Sequence, residues 1–529
     1  MPASGPDFTS NPLTGARAGS AHTPWWDIPD FDQEVGDIKV IWELSRMAWV
    51  PALARAARGG NVSALATLNG WLDRWLAQNE PYFGANWKCG QEASVRVMQL
   101  AQAALLLGQA ESTEAGLTDL IAMHAERIEP TIGYAIGQDN NHGTSEAAAL
   151  FIAGTMPSLA GHDQASKWRE KGRFWLENRV ARLVDSQGTF SLYSTNYHRV
   201  LLDTLSLSEL WRRRFEQPAF SNRFQERARA AVEWLRAQVD VGTGDVPNVG
   251  NNDGARILDL GCAEYRDYRP SVQLASILFL GRPAFPLGPW NDGLTAFGVV
   301  PQGPAAPPPG DYMALAGGFA ILRRGQASAL IRVPSYSFRP AQADALHVDL
   351  TVAGLNVLRD GGSFSYMAEP DLVDYFSGVR SHNTVAFDYH DQMPRLGRFL
   401  FCDWNRIGGL NFDIIGPVAR FAASYRDAWG ARHERRVQLS NQALVVEDCI
   451  SGFADKAILR WRLAPRDWHL DGRSVKSGRF ALAVLSEVEA VRFEVVAGLE
   501  SRHYFEKTPL PVLEVEFDRP AEIQTRVTW

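Results

Sequence analysis

Cysteine is scarce in this chain. Cys89, Cys262, Cys402 and Cys449 are the four among 529 residues, widely spaced, with no CxxC pair and no Cys/His cluster. That excludes a cysteine zinc site and argues against a disulfide framework. Long apolar runs are missing too. No stretch approaches the roughly 18 apolar residues that a membrane span needs, so no membrane association is expected. Met1 to Thr23 is rich in Pro, Gly, Ser and Ala and shows no apolar core of a secretion signal. The expected location is therefore cytoplasmic, or periplasmic if the sequence is a trimmed form. Basic excess is absent as well: the net charge is −7, which speaks against a general nucleic-acid binder.

What remains is an ordinary globular composition, 46% hydrophobic and 21% charged, in a chain too long for one core. Seventeen tryptophans are many for this length. Trp stacks on sugar faces but fills cores more often.

The apolar period divides the chain. From about Ile38 to Leu280, apolar residues recur at helical spacing, segment after segment, with polar Gly- and Asn-rich loops between. Repeated helical hairpins with long polar loops on one side suit a toroid, and other α-solenoids too. Pro301 to Gly310 is a Pro-rich connector. Beyond it the period falls toward two, as in an antiparallel β-domain of stacked sheets. The expected organisation is an N-terminal extension (1–36), an incomplete α/α toroid (37–285), a connector (286–312) and an antiparallel β-sandwich (313–529).

The chemistry-bearing residues gather in the polar loops. Gln138-Asp139-Asn140-Asn141-His142-Gly143-Thr144-Ser145-Glu146 leads into the apolar segment Ala147 to Gly154. Amide and imidazole groups there can hold an oxyanion and handle a proton. Tyr193 to His198 opens the next such helix, Asn86 to Glu92 an earlier one, and Asn251-Asn252-Asp253-Gly254 lies in a later loop. The β-half contributes Gln342-Ala343-Asp344, His347, Asp360-Gly361-Gly362, Tyr366 and Arg380-Ser381-His382-Asn383-Thr384-Val385. Each motif alone also reads as a helix cap or a satisfied histidine.

In this order the segments, together with Asp37-Ile38-Lys39 and Trp42 to Arg46, resemble the heparinase II/III superfamily of polysaccharide lyases. The resemblance implies a toroid followed by a β-sandwich, and β-elimination on a glycan containing uronic acid. Asn141 and His142 would meet the substrate carboxylate. Tyr197 would act as base and acid if nearby cations lower its pKa, with Tyr193 in reserve. The family's two histidines before Ala-Asp are replaced by Pro340 and Gln342. His347 is then either a relocated catalytic base or a residue of the opposite strand face.

Zinc in the family takes a His, an Asp and a His. Asp360 and His382 match the last two, but Gln342 stands at the first, and glutamine is a poor zinc ligand. No cofactor is required on this reading and a structural zinc is doubtful. Arg46, Asn86, Trp87, Gln91, Glu92, Glu146, Asn252, Asp253 and Arg380 are expected to bind substrate. Trp87 would be a stacking platform or a core residue, and Arg46 equally an ion-pair partner of Glu43. The partner expected is an acidic poly- or oligosaccharide, and the chain a monomer or homodimer. Alternatives are a glycoside hydrolase on the same toroid, using Glu92, Glu146 or Asp253 as its carboxylates, and a non-catalytic glycan-binding protein. An α-solenoid scaffold ranks last.

Overall fold

The computed structural model describes residues 5–30, 32–258, 261 and 263–529. Cys262 lies outside the described residues; Cys89, Cys402 and Cys449 are free thiols. The helical half runs α1 (Lys39–Ser45), α2 (Trp49–Arg58), α3 (Val62–Gln78), α4 (Gly90–Leu106), α5 (Ala115–Ile128) and α6 (Ile132–Gly137). It continues with α7 (Asn141–Gly154), α8 (Ala165–Leu183), α9 (Thr195–Arg214), α10 (Asn222–Arg236) and α11 (Arg269–Leu280).

Two kinds of helix alternate. Helices α4, α7 and α9 are buried almost all round. Helices α3, α5, α8 and α10 expose a polar face. Each inner helix packs on the next, α2 on α4, α4 on α7, α7 on α9 and α9 on α11, and the outer helices back them. That is a double-layered α/α toroid, and it places the N-termini of α4, α7 and α9 around one mouth. Small residues allow the close approach: a Cβ on Gly172 of α8 would fall 2.3 Å from the backbone nitrogen of Phe151. Among the described residues no helix is long and apolar enough to cross a membrane.

The chain then turns to strands, as the change of period predicts. A five-stranded sheet takes β1 (Tyr312–Ala314), β2 (Phe319–Arg324), β3 (Ala327–Arg332), β4 (Val348–Val352) and β5 (Leu355–Leu358) in that order. After α12 (Pro370–Ser377) come β6 (Val385–Phe387), a small hairpin β7 (Arg395–Gly397) and β8 (Leu400–Phe401), then β9 (Arg406–Asp413), β10 (Ala419–Arg426), β11 (Arg432–Leu439), β12 (Ala443–Ser451) and β13 (Ala457–Arg462). The tail adds β14 (His469–Asp471), β15 (Ser474–Ser477), β16 (Phe480–Ser486), β17 (Arg492–Glu500), β18 (Thr508–Phe517) and β19 (Ala521–Thr528).

An eight-stranded sheet has the order β14-β15-β16-β19-β12-β11-β10-β9, and a four-stranded sheet β17-β18-β13-β6. Every pairing between these strands is antiparallel. In β19 burial alternates residue by residue, Ala521, Ile523, Thr525 and Val527 inward, which is the period-two signature of a half-buried strand. One apolar core joins the sheets through Leu350, Val446, Trp461, Leu513 and Val527.

Candidate active site

Two helix starts frame a cleft of about 630 Å³. Asn140 caps α7 by accepting from the His142 backbone N–H at 3.0 Å, so Asn141 and His142 occupy the first helical turn, not a loop before it. Ser194 caps α9 by accepting from the Tyr197 backbone N–H at 3.1 Å. Both starts turn a positive dipole end toward the cleft, which favours an anionic ligand there. Asn141, His142, Glu146 and Tyr197 line the cleft with Gln91 and Glu92 of α4 and Asp253 of the loop before α11. The β-domain supplies Arg339, Pro340, Ala341, Tyr366 and Phe399.

The floor is an ion network. Arg46 binds Glu92 through two parallel bonds, Nε to Oε2 at 2.8 Å and Nη2 to Oε1 at 2.9 Å. Its Nη1 reaches Glu43 at 3.0 Å and its Nη2 the Asp253 Oδ2 at 3.4 Å. Lys39 Nζ lies 2.9 Å from that same Asp253 oxygen. Burial would raise the Asp253 carboxyl, but Lys39 and Arg46 outweigh it and hold the group well below the usual carboxylate range. Glu92 is likewise lowered against its burial by Arg46. Both are therefore ionised, and their oxygens are engaged by cations.

Three cleft residues behave differently. Burial, helped by Lys39, pushes His142 down to about 4, so its imidazole is neutral at pH 7. Burial pushes Glu146 up to about 8, so this carboxyl keeps its proton near neutrality. It lies one turn beyond His142, 3.7 Å from Nδ1, and only a glycine at position 90 leaves it room: a Cβ there would sit 2.7 Å from its carboxyl atoms. The Tyr197 hydroxyl meets the Tyr366 hydroxyl at 3.1 Å. Burial and then the Asp253 charge raise Tyr197 well above 10, so the expected lowering by cations does not occur. A phenol raised in this way keeps its proton at neutral pH.

Several expected residues lie elsewhere. Trp87 is fully buried, edge-on to Tyr82 and against His124 at 4.7 Å, so it is core and not a sugar platform. Asn86 is buried beside it and donates to the Phe8 and Asn79 oxygens. Asn252 stands just outside the cleft, its Oδ1 accepting from Tyr265 and the Gly254 N–H. Tyr193 is held with φ 51 on the approach to α9, and its hydroxyl accepts the Ser337 and Phe338 N–H groups. It supports the segment that carries Arg339 and does not face the cavity. Arg380 is exposed over the Tyr375 ring and is not part of the cleft lining.

Of the two readings of His347, the catalytic one is not met, since the residue does not line the cleft. Residues 333–347 are not a strand, so strand alternation does not apply to them. Leu346 takes a left-handed φ of 57 and the His347 N–H closes a turn onto the Asp344 carbonyl at 3.0 Å. The ring is driven into the β-domain, fully buried, 3.6 Å from Asp360. His382 Nδ1 is 2.9 Å from the same Asp360 oxygen. The three donors lie within 4.8 Å of one another, a spacing compatible with a cation.

The bonding opposes one. The Asn383 backbone N–H donates to His347 Nδ1 at 2.8 Å, which leaves the ring proton on Nε2, the nitrogen facing Asp360. A metal at Nε2 would need a doubly deprotonated ring. At the family's first ligand position, Gln342 accepts from the Gly250 N–H at 2.9 Å and donates to the Gly362 carbonyl at 3.1 Å. This donor set does not fit a zinc ion.

Other cleft residues escaped sequence reasoning. Tyr134 offers an exposed aromatic face, Trp25 lines the wall with Arg127 over one side of its ring, Trp42 is buried in the wall, and Lys39 and Arg339 offer cations. Lys39 and Trp42 stood in a segment that marks the fold, without any spacing that reveals a site. Arg339 has no ion-pair or hydrogen-bond partner among the described residues, and it stands beside the position where the family carries histidine.

No curated protein matches the chain in sequence. Solved structures do match in fold. Heparinase III aligns with a TM-score of 0.72 at 16% identity, over 99% of this chain and 82% of that one. Heparan sulfate lyase from Pedobacter heparinus gives 0.61 at 17%, over 97% and 79%. Chondroitin AC lyase from Streptomyces coelicolor A3, in complex with chondroitin sulphate, gives 0.57 at 14%, over 89% and 71%. At such identities the likeness establishes the architecture. Residues 23–250 match the heparinase II/III N-terminus and residues 306–511 the heparinase II/III-like C-terminal region. The chain belongs to the heparinase II/III family, whose polysaccharide lyases share this toroid and β-domain.

Proposed function

We propose that this protein cleaves an acidic, uronate-containing glycan by β-elimination, with His142 as base and Tyr197 as acid. The carrying observation is that a neutral imidazole, a protonated phenol and the Asn141 amide line one cleft at two helix N-termini. The Asn141 amide and the Arg339 guanidinium, which both line the cleft, hold the substrate carboxylate and the charge that builds on it. His142 takes the proton from C5. The electron pair forms the C4–C5 double bond, the C4–O4 bond breaks, and O4 takes the Tyr197 proton. Exchange with solvent returns a proton to Tyr197 and removes one from His142. Tyr134 provides an exposed face on which a neighbouring sugar stacks.

A glycosaminoglycan is the substrate class favoured, because the related folds include heparan sulfate and chondroitin lyases. The carboxylate-pair hydrolase has less to stand on. Glu92 and Asp253 are both committed to Arg46, which leaves Glu146 without a second free carboxylate. On this reading no metal takes part, and His347, Asp360 and His382 hold one another. The deciding experiment is incubation with heparan sulfate, chondroitin and alginate in labelled water. The unsaturated uronate chromophore should appear with no label in the product. Labelled product without the chromophore would replace the lyase by the hydrolase.

A further inference from the structure

We propose that β9 is a self-pairing edge through which two copies of this chain join their eight-stranded sheets. The strand ends the sheet, and all eight of its residues are exposed. Natural edges are usually guarded by proline, lysine or an inward charge. Arg-Ile-Gly-Gly-Leu-Asn-Phe-Asp has no proline or lysine, and its only charges stand at its two ends.

The faces of β9 follow from its pairing with β10. Phe412 stands opposite Phe421, Leu410 opposite Ala423 and Ile407 opposite Tyr425. Those three β10 residues are core, so Ile407, Leu410 and Phe412 share the inward face of the sheet. Yet they are 37%, 42% and 42% exposed, because the covering sheet does not extend over them. Arg406 and Asp413 fall together on the outward face. What puts both ends on one face is the register shift between Ser424 and Tyr425, which leaves Gly408 as a bulge.

An antiparallel copy then matches in every pair. With the two-fold axis at Leu410 and the Gly408 bulge in each strand, Leu410 meets Leu410. Phe412 meets Ile407, and Arg406 meets Asp413, twice each. Inward residues face inward ones and outward face outward, as an antiparallel ladder requires. Opposite charges at the two ends are what a self-complementary, isologous contact needs. Asp413 also lies 3.7 Å from Arg420 of its own chain, so it would be shared between two guanidinium groups.

Sedimentation of the full chain over rising concentration tests this. The mass should climb from 58.6 kDa toward twice that value. Arg406→Asp or Asp413→Arg alone should weaken association by about tenfold or more, since each creates two like-charge contacts. The double exchange should restore it, because the pairs are remade with the signs reversed. Leu410→Lys should leave a monomer. All three positions are exposed, and an unchanged melting temperature certifies folding. For a variant that fails it, concentration-dependent protection of the β9 amides in the wild-type chain decides instead. A wild-type monomer at every concentration, association indifferent to the single reversals, a double exchange that does not restore it, or β9 amides that stay unprotected would each overturn the proposal.

Discussion

His142 and His347 are both histidines near a carboxyl group, and both are driven below their ordinary pKa by burial, to about 4 and about 3. They differ in what they face. His142 borders a cavity shared with Tyr197, Asn141 and Arg339. His347 meets only protein, with Nδ1 taken by the Asn383 N–H and Nε2 turned to Asp360. A depressed pKa thus accompanies a group that borders a cavity in one place and a packed polar core in the other. Geometry, and not titration, separates the two.

The comparison breaks most visibly at Tyr197. Tyr197→Phe should lower kcat by about 10²–10⁴-fold with little change in KM, read from chromophore release. A loss under tenfold would remove the phenol from the mechanism. His142→Ala should cost a similar factor. Because the base must be neutral, wild-type activity should rise as pH passes about 4 and stay level through neutrality.

Next in size is the floor beneath the cleft. Arg46→Ala strands the buried Glu92 charge, leaves Asp253 to Lys39 alone, and should destabilise the fold by about 3–5 kcal/mol, measured by denaturant unfolding. His347→Gln should sharpen the contrast with His142. It should cost stability, on the order of 1–3 kcal/mol for a lost buried partner, while kcat per folded molecule stays near wild type. Chelator should leave the melting temperature of the wild-type chain unmoved.

Glu146 gives a smaller, pH-dependent effect. Its folded pKa, about 8, lies above the unfolded value near 4.5. Its contribution to stability is therefore complete below 4.5, declines as pH rises, and is gone above 8. Glu146→Gln cannot ionise, so its melting temperature relative to wild type should improve steadily across that window. A parallel pair of curves would refute the buried, protonated carboxyl. Arg380→Ala should be the mildest, within about 0.5 kcal/mol in stability and silent in catalysis, since the side chain is exposed.

Much of the architecture was legible because burial imposes period. The alternation in β19 and the helical spacing in α4 and α9 reflect which faces meet the core. Helix starts were harder. Asn141 to Glu146 is polar enough to pass for a loop, yet it is the first half of α7, because an inner helix opening on a cavity keeps polar residues where it meets water. The Asn140 cap was the available signal. Trp87 could not be assigned from sequence, since platform and core demand the same residue; contact with Trp75 and His124 decides it. His347 stayed open between a base and a residue of the opposite face, because no local pattern records the bend at Leu346. Arg339 and Lys39 are brought in from distant parts of the chain, which no local pattern records.

The bonds from Lys39 and Arg46 to Asp253 join positions 214 and 207 residues apart. A ribosome delivers the first partners long before the last. Until the loop before α11 emerges, two buried cations must wait without one of their anions, and the sugar cleft lacks its floor. Assembly of the catalytic chamber is therefore a late event in the life of the nascent chain, whatever the speed at which the earlier helices form.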